Sequence, residues 1–237
     1  MSRFEPLLRL QDCDTRADQI RHRLAHLPER AQLDEHYELV SAHQRARAEV
    51  QARRDDLARQ QRRLEDEIAT VEAKAAEVNE TLYGGTITSP RELQTLQQEI
   101  DSLKRRQASL EDDVLALMEQ IEPLDAELAD LDTRGAELDA EAQRLELVLA
   151  EAAAALDGEL GGVAEERQRV LAEVEADLLE LYVRLRSQLG GIAVARLVAG
   201  SCQGCHLALP AAEVERLKRL PPEELAYCEE CGRLLVR

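Results

Sequence analysis

From Leu93 onward the apolar residues return at alternating steps of three and four. They fall at Leu93, Leu96, Ile100, Leu103, Leu110, Val114, Leu117, Ile121, Leu124, Leu128, Leu131, Leu138, Leu145, Leu149 and Leu156. The skipped slots hold Gln107, Gly135, Ala142 and Ala152. A 3.5-residue repeat sustained over about nine heptads predicts a coiled-coil seam, narrower than the stripe of a helix set into a globular core. The same spacing runs through Leu57, Gln61, Leu64, Ile68, Val71, Ala75, Val78 and Leu82, and more loosely through Leu10, Ala17, Ile20, Leu24 and Leu27.

Between the two strong runs lies the segment from Tyr83 to Glu92, containing Gly84-Gly85 and Ser89-Pro90. Gly84 is predicted to end one helix in the left-handed conformation. Ser89 as N-cap, Pro90 at the first helical position and Glu92 as the far half of a capping box restart the next. Two long helices joined by so short a loop fold back antiparallel, and each arm of roughly 80 residues would span roughly 120 Å. With the turn near 84–89, residue i should face about residue 173 − i. Seven arginines between 45 and 63 (Arg45, Arg47, Arg53, Arg54, Arg59, Arg62 and Arg63) then lie opposite 110–128, a stretch with seven carboxylates and no Lys or Arg. Interhelical pairing, which fixes register and direction, accounts for this arginine run more simply than a nucleic-acid patch does. Pro28 and Pro123 should each kink or break an arm. Gly158, Gly161 and Gly162 suggest a loosened segment late in the second arm. Helical spacing resumes at Val170, Val174, Leu178, Leu181, Leu185 and Leu189, and Gly190-Gly191 ends the rod.

Composition narrows the function. The chain has 237 residues, a formal charge of −18 and five Phe or Tyr with no Trp, too few rings for an ordinary core of this length. Residues 91–160 alone carry 6 basic against 19 acidic groups. So acidic a surface excludes nucleic acid wrapped over the whole molecule, and any such contact must be local. No apolar stretch approaches membrane-spanning length and the start of the chain lacks a signal-peptide core, so the expected location is the cytoplasm. Three lysines accompany 27 arginines, which reads as a genomic codon bias rather than chemistry.

The last forty residues carry the chemistry. Cys202-Gln203-Gly204-Cys205 and Cys228-Glu229-Glu230-Cys231 are two Cys-x-x-Cys units 22 residues apart, spacing that lets four thiolates converge on one tetrahedral zinc. Gly204 and Gly232 suit the positive φ of such knuckles. Flanking runs at 196–201, 206–209 and 233–236 read as short strands, and 213–220 as a short helix. A segment so poor in apolar residues needs a staple, which bound metal supplies. Disulfides are disfavoured in the cytoplasm, no βαβ unit frames a redox pair, and His206 is superfluous as a ligand beside four cysteines. Cys13 reads as a small seam residue. His22, His26, His36 and His43 lie along the first arm. The i, i+4 pair His22/His26 lacks the H-E-x-x-H context of a metal site and reads as solvated. There is no phosphate loop, dinucleotide fingerprint or acid–base pair.

These features resemble the bacterial C4-type zinc-ribbon proteins with an N-terminal coiled-coil hairpin. The resemblance spans nearly the whole chain. It rests on the turn running into Leu93-Gln94-Thr95-Leu96-Gln97-Gln98-Glu99-Ile100, on Cys202/Cys205, and on Cys228-Glu229-Glu230-Cys231-Gly232-Arg233-Leu234-Leu235. It implies a mainly α architecture, with an antiparallel coiled-coil hairpin over 1–191 and a zinc ribbon over 192–237. The four cysteines would hold one structural zinc. The resemblance further implies a non-enzymatic adaptor; some members are implicated in flagellar gene expression, through messenger RNA and sigma factor 54, and some in type III secretion. Two readings follow. The leading one is a regulatory adaptor that binds RNA or DNA through the ribbon, with Arg196, Arg216, Lys218, Arg219, Arg233 and Arg237 as candidate contacts. The alternative is a scaffold or chaperone-like adaptor that engages a protein partner along the rod. Neither involves a membrane or a small-molecule substrate.

Overall fold

The computed structural model describes residues 3–85 and 87–237; Thr86, within the expected turn, lies outside the described residues. In chain order the elements are α1 (Glu5–Ala25), α2 (Pro28–Tyr83), α3 (Pro90–Leu171), α4 (Ala176–Gln188), β1 (Val194–Val198), β2 (Ser201–Cys202), α5 (Ala211–Arg219) and β3 (Leu234–Val236). They form two compact units, one of residues 32–145 and one that joins the N-terminus through 31 to residues 146–237.

The first unit is the helical hairpin. From Leu93 to Leu149 the positions of the predicted seam are buried or half-buried, and most of the others are exposed. Ile100, Leu110, Ile121, Leu128 and Ala142 of α3 are buried, as are Val50, Ala58 and Val78 of α2. At the turn, α2 ends at Tyr83 and the Gly84 N–H bonds the Glu80 carbonyl at 2.8 Å. The left-handed residue is Gly85, at φ 74°, rather than Gly84. Pro90 opens α3 as expected, and the Leu93 N–H bonds the Ser89 carbonyl at 3.1 Å.

Ion pairs fix the register. Near the turn, Lys74–Glu99 and Arg106–Glu67 join residues whose numbers sum to 173. Farther down, Arg47–Asp132 and Arg54–Asp125 join residues summing to 179. Two arginines of the 45–63 run therefore bond the opposite arm, whereas Arg59 bonds Asp56 and Arg62 bonds the Ala58 carbonyl on their own helix.

Two rungs come from histidine. His36 Nε2 donates to the Leu138 carbonyl at 2.8 Å, and His43 Nε2 to the Leu131 carbonyl at 2.9 Å. The two histidines are one heptad apart and so are their acceptors. The ring of His43 explains Gly135, since a Cβ there would lie 3.2 Å from its Nε2.

The second unit contains the hairpin root and the ribbon. α1 runs against the end of α3 and the turn that follows it through pairs spaced by sevens along the chain, Arg9–Glu173, Arg16–Glu166 and Arg23–Glu159. Each is exposed and screened by solvent, so their effect is mainly on register. Pro28 marks a break, as the first residue of α2. Pro123 lies inside an unbroken α3, and so do Gly158, Gly161 and Gly162. The expected loosening is absent because the burial of Leu156, Val163 and Val170 against α1 and α4 holds the helix through its glycines.

The strands form one sheet in the order β2-β1-β3, with β1–β2 antiparallel and β1–β3 parallel. The register Val194↔Leu234 and Arg196↔Val236 places Val194, Leu234 and Val236 on one face. That face shares a core with Phe4, Leu7, Leu10, Leu178 and Tyr182 of the helical root. The opposite face, with Ala195, Cys202 and Leu235, packs on Leu217 of α5. The ribbon is therefore packed against helices on both sides of its sheet.

Candidate metal centre and the groups around it

The two cysteine knuckles have the same backbone form. The N–H of His206 bonds the Cys202 carbonyl at 2.7 Å, and that of Gly232 bonds the Cys228 carbonyl at 2.8 Å. Both residues, each following the second cysteine of its pair, have positive φ: 61° at His206 and 73° at Gly232. The first knuckle thus places a histidine where the second has glycine, at a cost of about 1–2 kcal/mol. Gly204 does not adopt the positive φ expected of it. It is required for space: a Cβ there would lie 2.6 Å from Arg233 Cδ and 2.9 Å from Ala195 Cβ.

The Sγ atoms of Cys202, Cys205, Cys228 and Cys231 all lie within 4.8 Å of one another. The Cys202–Cys231 and Cys205–Cys228 sulfur pairs are 3.9 Å apart. A tetrahedron with metal–sulfur bonds of about 2.3 Å separates its sulfurs by about 3.8 Å, so the donor set fits one structural zinc ion. Around the sulfurs, burial pushes the Cys202 thiol up and the Cys228 thiol to about 12. Burial acts the same way on Cys231, but hydrogen bonds from the Arg233 main chain and guanidinium outweigh it and bring that thiol to about 7. Zinc takes its ligands as thiolates, so binding releases protons and affinity falls in acid.

The six candidate cationic contacts divide by what they touch. Arg233 donates from Nε to the Ile192 carbonyl at 3.0 Å, tying the second knuckle to the segment before β1. The Arg237 guanidinium reaches the carbonyls of Leu217, Leu220 and Pro221, closing the C-terminal end of α5. Arg196 pairs with Glu5. Arg216 pairs with Glu213 at 2.5 Å and lies 3.9 Å from Glu229, and Lys218 pairs with Glu215 at 2.9 Å. Arg219 is exposed. Arg233 and Arg237 thus bond main-chain carbonyls, and three others face carboxylates of the same chain.

Cys13 is 1% exposed and packs with Ala17, Ile20, Leu156 and Val163, a seam residue as read from the sequence. His22 and His26 are exposed, with ring centroids 4.2 Å apart.

Sequence reasoning missed a buried polar cluster at the root. Asp14, 5% exposed, accepts from Tyr182 Oη at 2.6 Å and from Arg167 Nε at 2.6 Å, with Arg186 Nε at 3.6 Å. Burial alone would raise the Asp14 carboxyl, but the Arg167 and Tyr182 hydrogen bonds and the two guanidinium charges hold it below its ordinary value. Gln11 beside it donates to the Gly191 carbonyl at 2.9 Å and accepts from the Ala193 N–H at 2.7 Å, fastening the chain as it enters β1. In the sequence Gln11 and Asp14 follow the seam residues Leu10 and Cys13 like ordinary flanking polar residues, so no local pattern marks this cluster.

Comparison with known proteins agrees with this geometry. Residues 10–190 match the family described as the CT398-like coiled coil hairpin domain, and residues 201–235 match the C4-type zinc ribbon domain. An uncharacterised protein of Mycobacterium tuberculosis is 32% identical over 235 residues, covering 98% of this chain and 94% of the relative. A solved structure from Mycobacterium smegmatis superposes with a TM-score of 0.87 at 27% identity, over the full length of both chains. That of CT398 from Chlamydia trachomatis superposes with a TM-score of 0.50 at 19% identity, over 98% of this chain and 96% of its own, which bears on the fold alone. With its four cysteines brought together as that ribbon requires, the chain belongs to the family of CT398-like coiled-coil hairpin proteins that carry a C4-type zinc ribbon.

Proposed function

We propose that the protein is a non-enzymatic adaptor whose zinc ribbon is a structural anchor and whose helical hairpin presents the surface that engages a protein partner. The observation that carries this reading is the engagement of the ribbon's cations: five of the six candidate side chains bond carboxylates or carbonyls of the same chain. A phosphate backbone would have to compete with those internal partners, on a chain of formal charge −18. Four thiolates also fill the coordination of a zinc ion, leaving no position for a water or substrate, which speaks for a structural metal. Apolar side chains outside the seam, including Leu115 and Met118, are about half exposed and offer contact area to a protein.

The test is co-purification of the full chain from its native cell at low salt, with nuclease-treated and untreated samples compared. The adaptor reading predicts a protein partner retained in both. Recovery of RNA or DNA, with every protein lost after nuclease, would favour nucleic-acid binding at the ribbon instead.

A further inference from the structure

We propose that the flank of α3 at Leu115 and Met118 is a docking groove for a basic amphipathic helix of a partner protein. The proposal rests on the adaptor reading and specifies the chemistry of its partner. Leu115 and Met118 are 57% and 49% exposed. They lie three residues apart, each one position beyond a seam residue (Val114, Leu117), so both fall outside the packed interface of the hairpin. Together with Arg54 and Gln61 of α2 and the acids Glu119 and Glu122 they line a shallow groove along the side of the hairpin. Neighbouring apolar residues at this spacing form half of a helix-in-groove contact, in which a partner helix supplies anchors at i, i+3 or i+4.

Charge selects the occupant. Arg54, the cation in the groove, is committed to Asp125 at 2.8 Å. Glu119 and Glu122 have no cationic partner among the described residues, and residues 110–128 contain no Lys or Arg at all. Pro123 adds an acceptor, because it has no N–H to offer the Glu119 carbonyl one turn back. An apolar island bordered by unneutralised carboxylates complements a helix with Leu-type anchors on one face and Lys or Arg beside them. It repels an acidic helix, and it equally disfavours a second copy of this acidic flank.

The sequence provides its own reporter, since Met118 and Met1 are the two methionines of the chain. The full-length zinc-loaded protein, labelled with ¹³C at the methionine methyls, is titrated with a synthetic amphipathic peptide of about 18 residues (Leu on one face, Lys and Arg on the other). The matched peptide with Glu in place of the cations is the control. The expected result is a shift of the Met118 methyl with the basic peptide only. Affinity should fall about tenfold in Leu115→Ala and again when Glu119 and Glu122 become Gln, and stay unchanged in Leu147→Ala, another exposed apolar site. Binding that leaves Met118 unmoved, or that Leu115→Ala does not weaken, overturns the groove while leaving the adaptor reading to its own test. So does a Met118 shift that follows protein concentration without peptide, which would make the occupant a second copy. Absence of binding overturns it as well.

Discussion

Replacing Asp14 by Ala tests whether the buried cluster at the root holds the second unit together. The carboxylate is 5% exposed, and its removal strands the Tyr182 hydroxyl on a residue 1% exposed. A buried donor without a partner costs about 1–3 kcal/mol. Breaking a fully buried ion pair costs about 3–5 kcal/mol, but the Arg167 and Arg186 side chains are 33% and 29% exposed and can turn toward water, so the charge contribution is smaller. The expected loss is about 2–4 kcal/mol. Tyr182→Phe alone, which leaves Asp14 bonded to Arg167, should cost about 1 kcal/mol. Because both substitutions remove one hydrogen bond, the double variant should be no worse than Asp14→Ala by more than a few tenths of a kcal/mol. The assay is urea unfolding followed by circular dichroism in excess zinc, with hydrogen exchange of residues 178–195 to locate the opening. The sign with pH is also fixed. The native Asp14 carboxyl titrates below its ordinary 3.8, so its contribution is present above that pH and is lost as pH falls through the native value. Asp14→Asn should therefore flatten the acid limb of the stability curve. A loss under about 1 kcal/mol, or strict additivity with Tyr182→Phe, would refute the cluster's role.

Three further outcomes follow from backbone geometry. Gly161→Ala and Gly162→Ala should each stabilise by about 0.5–1 kcal/mol in thermal unfolding, since both lie inside α3 and a Cβ at either meets nothing within 4 Å. Gly135→Ala should gain about 1 kcal/mol in a His43→Ala background and lose most of that gain when His43 is present, because the new Cβ crowds its ring. Gly232→Ala should cost about 1–2 kcal/mol in the zinc-bound protein, measured by chelator-induced metal release, whereas His206→Gly should cost nothing and slow that release.

What the sequence reveals depends on how local the physics is. The seam is legible because a coiled coil buries one narrow stripe, so the 3.5-residue period alone marks Ile100, Leu110, Ile121 and Leu128. The zinc ligands are legible because each knuckle is built within four residues. Gly161 and Gly162 mislead, since weak local propensity is overridden by the packing of Leu156 and Val163 on either side. Gly204 misleads for a related reason: its side-chain space is occupied by Arg233 and Ala195, neighbours brought together only by the β1–β3 pairing. The root core cannot be read at all from local pattern. It takes Phe4 and Leu7 from one end of the chain, Tyr182 from α4 and Leu234 and Val236 from the other end, and no period connects them. Among the cations, spacing alone cannot distinguish an arginine facing solvent from one like Arg237, whose guanidinium caps a helix.

The most direct test of the account is the metal content and thiol state of freshly purified, reduced full-length protein. Elemental analysis should find one zinc per chain. Of the five cysteines, none should react quickly with a thiol reagent while metal is bound; chelation should release the four of the ribbon together, and Cys13 should react only on unfolding of the helical root. Protein that contains no zinc, or whose four ribbon cysteines react without chelation, would contradict the assignment of the ribbon as a closed structural metal centre.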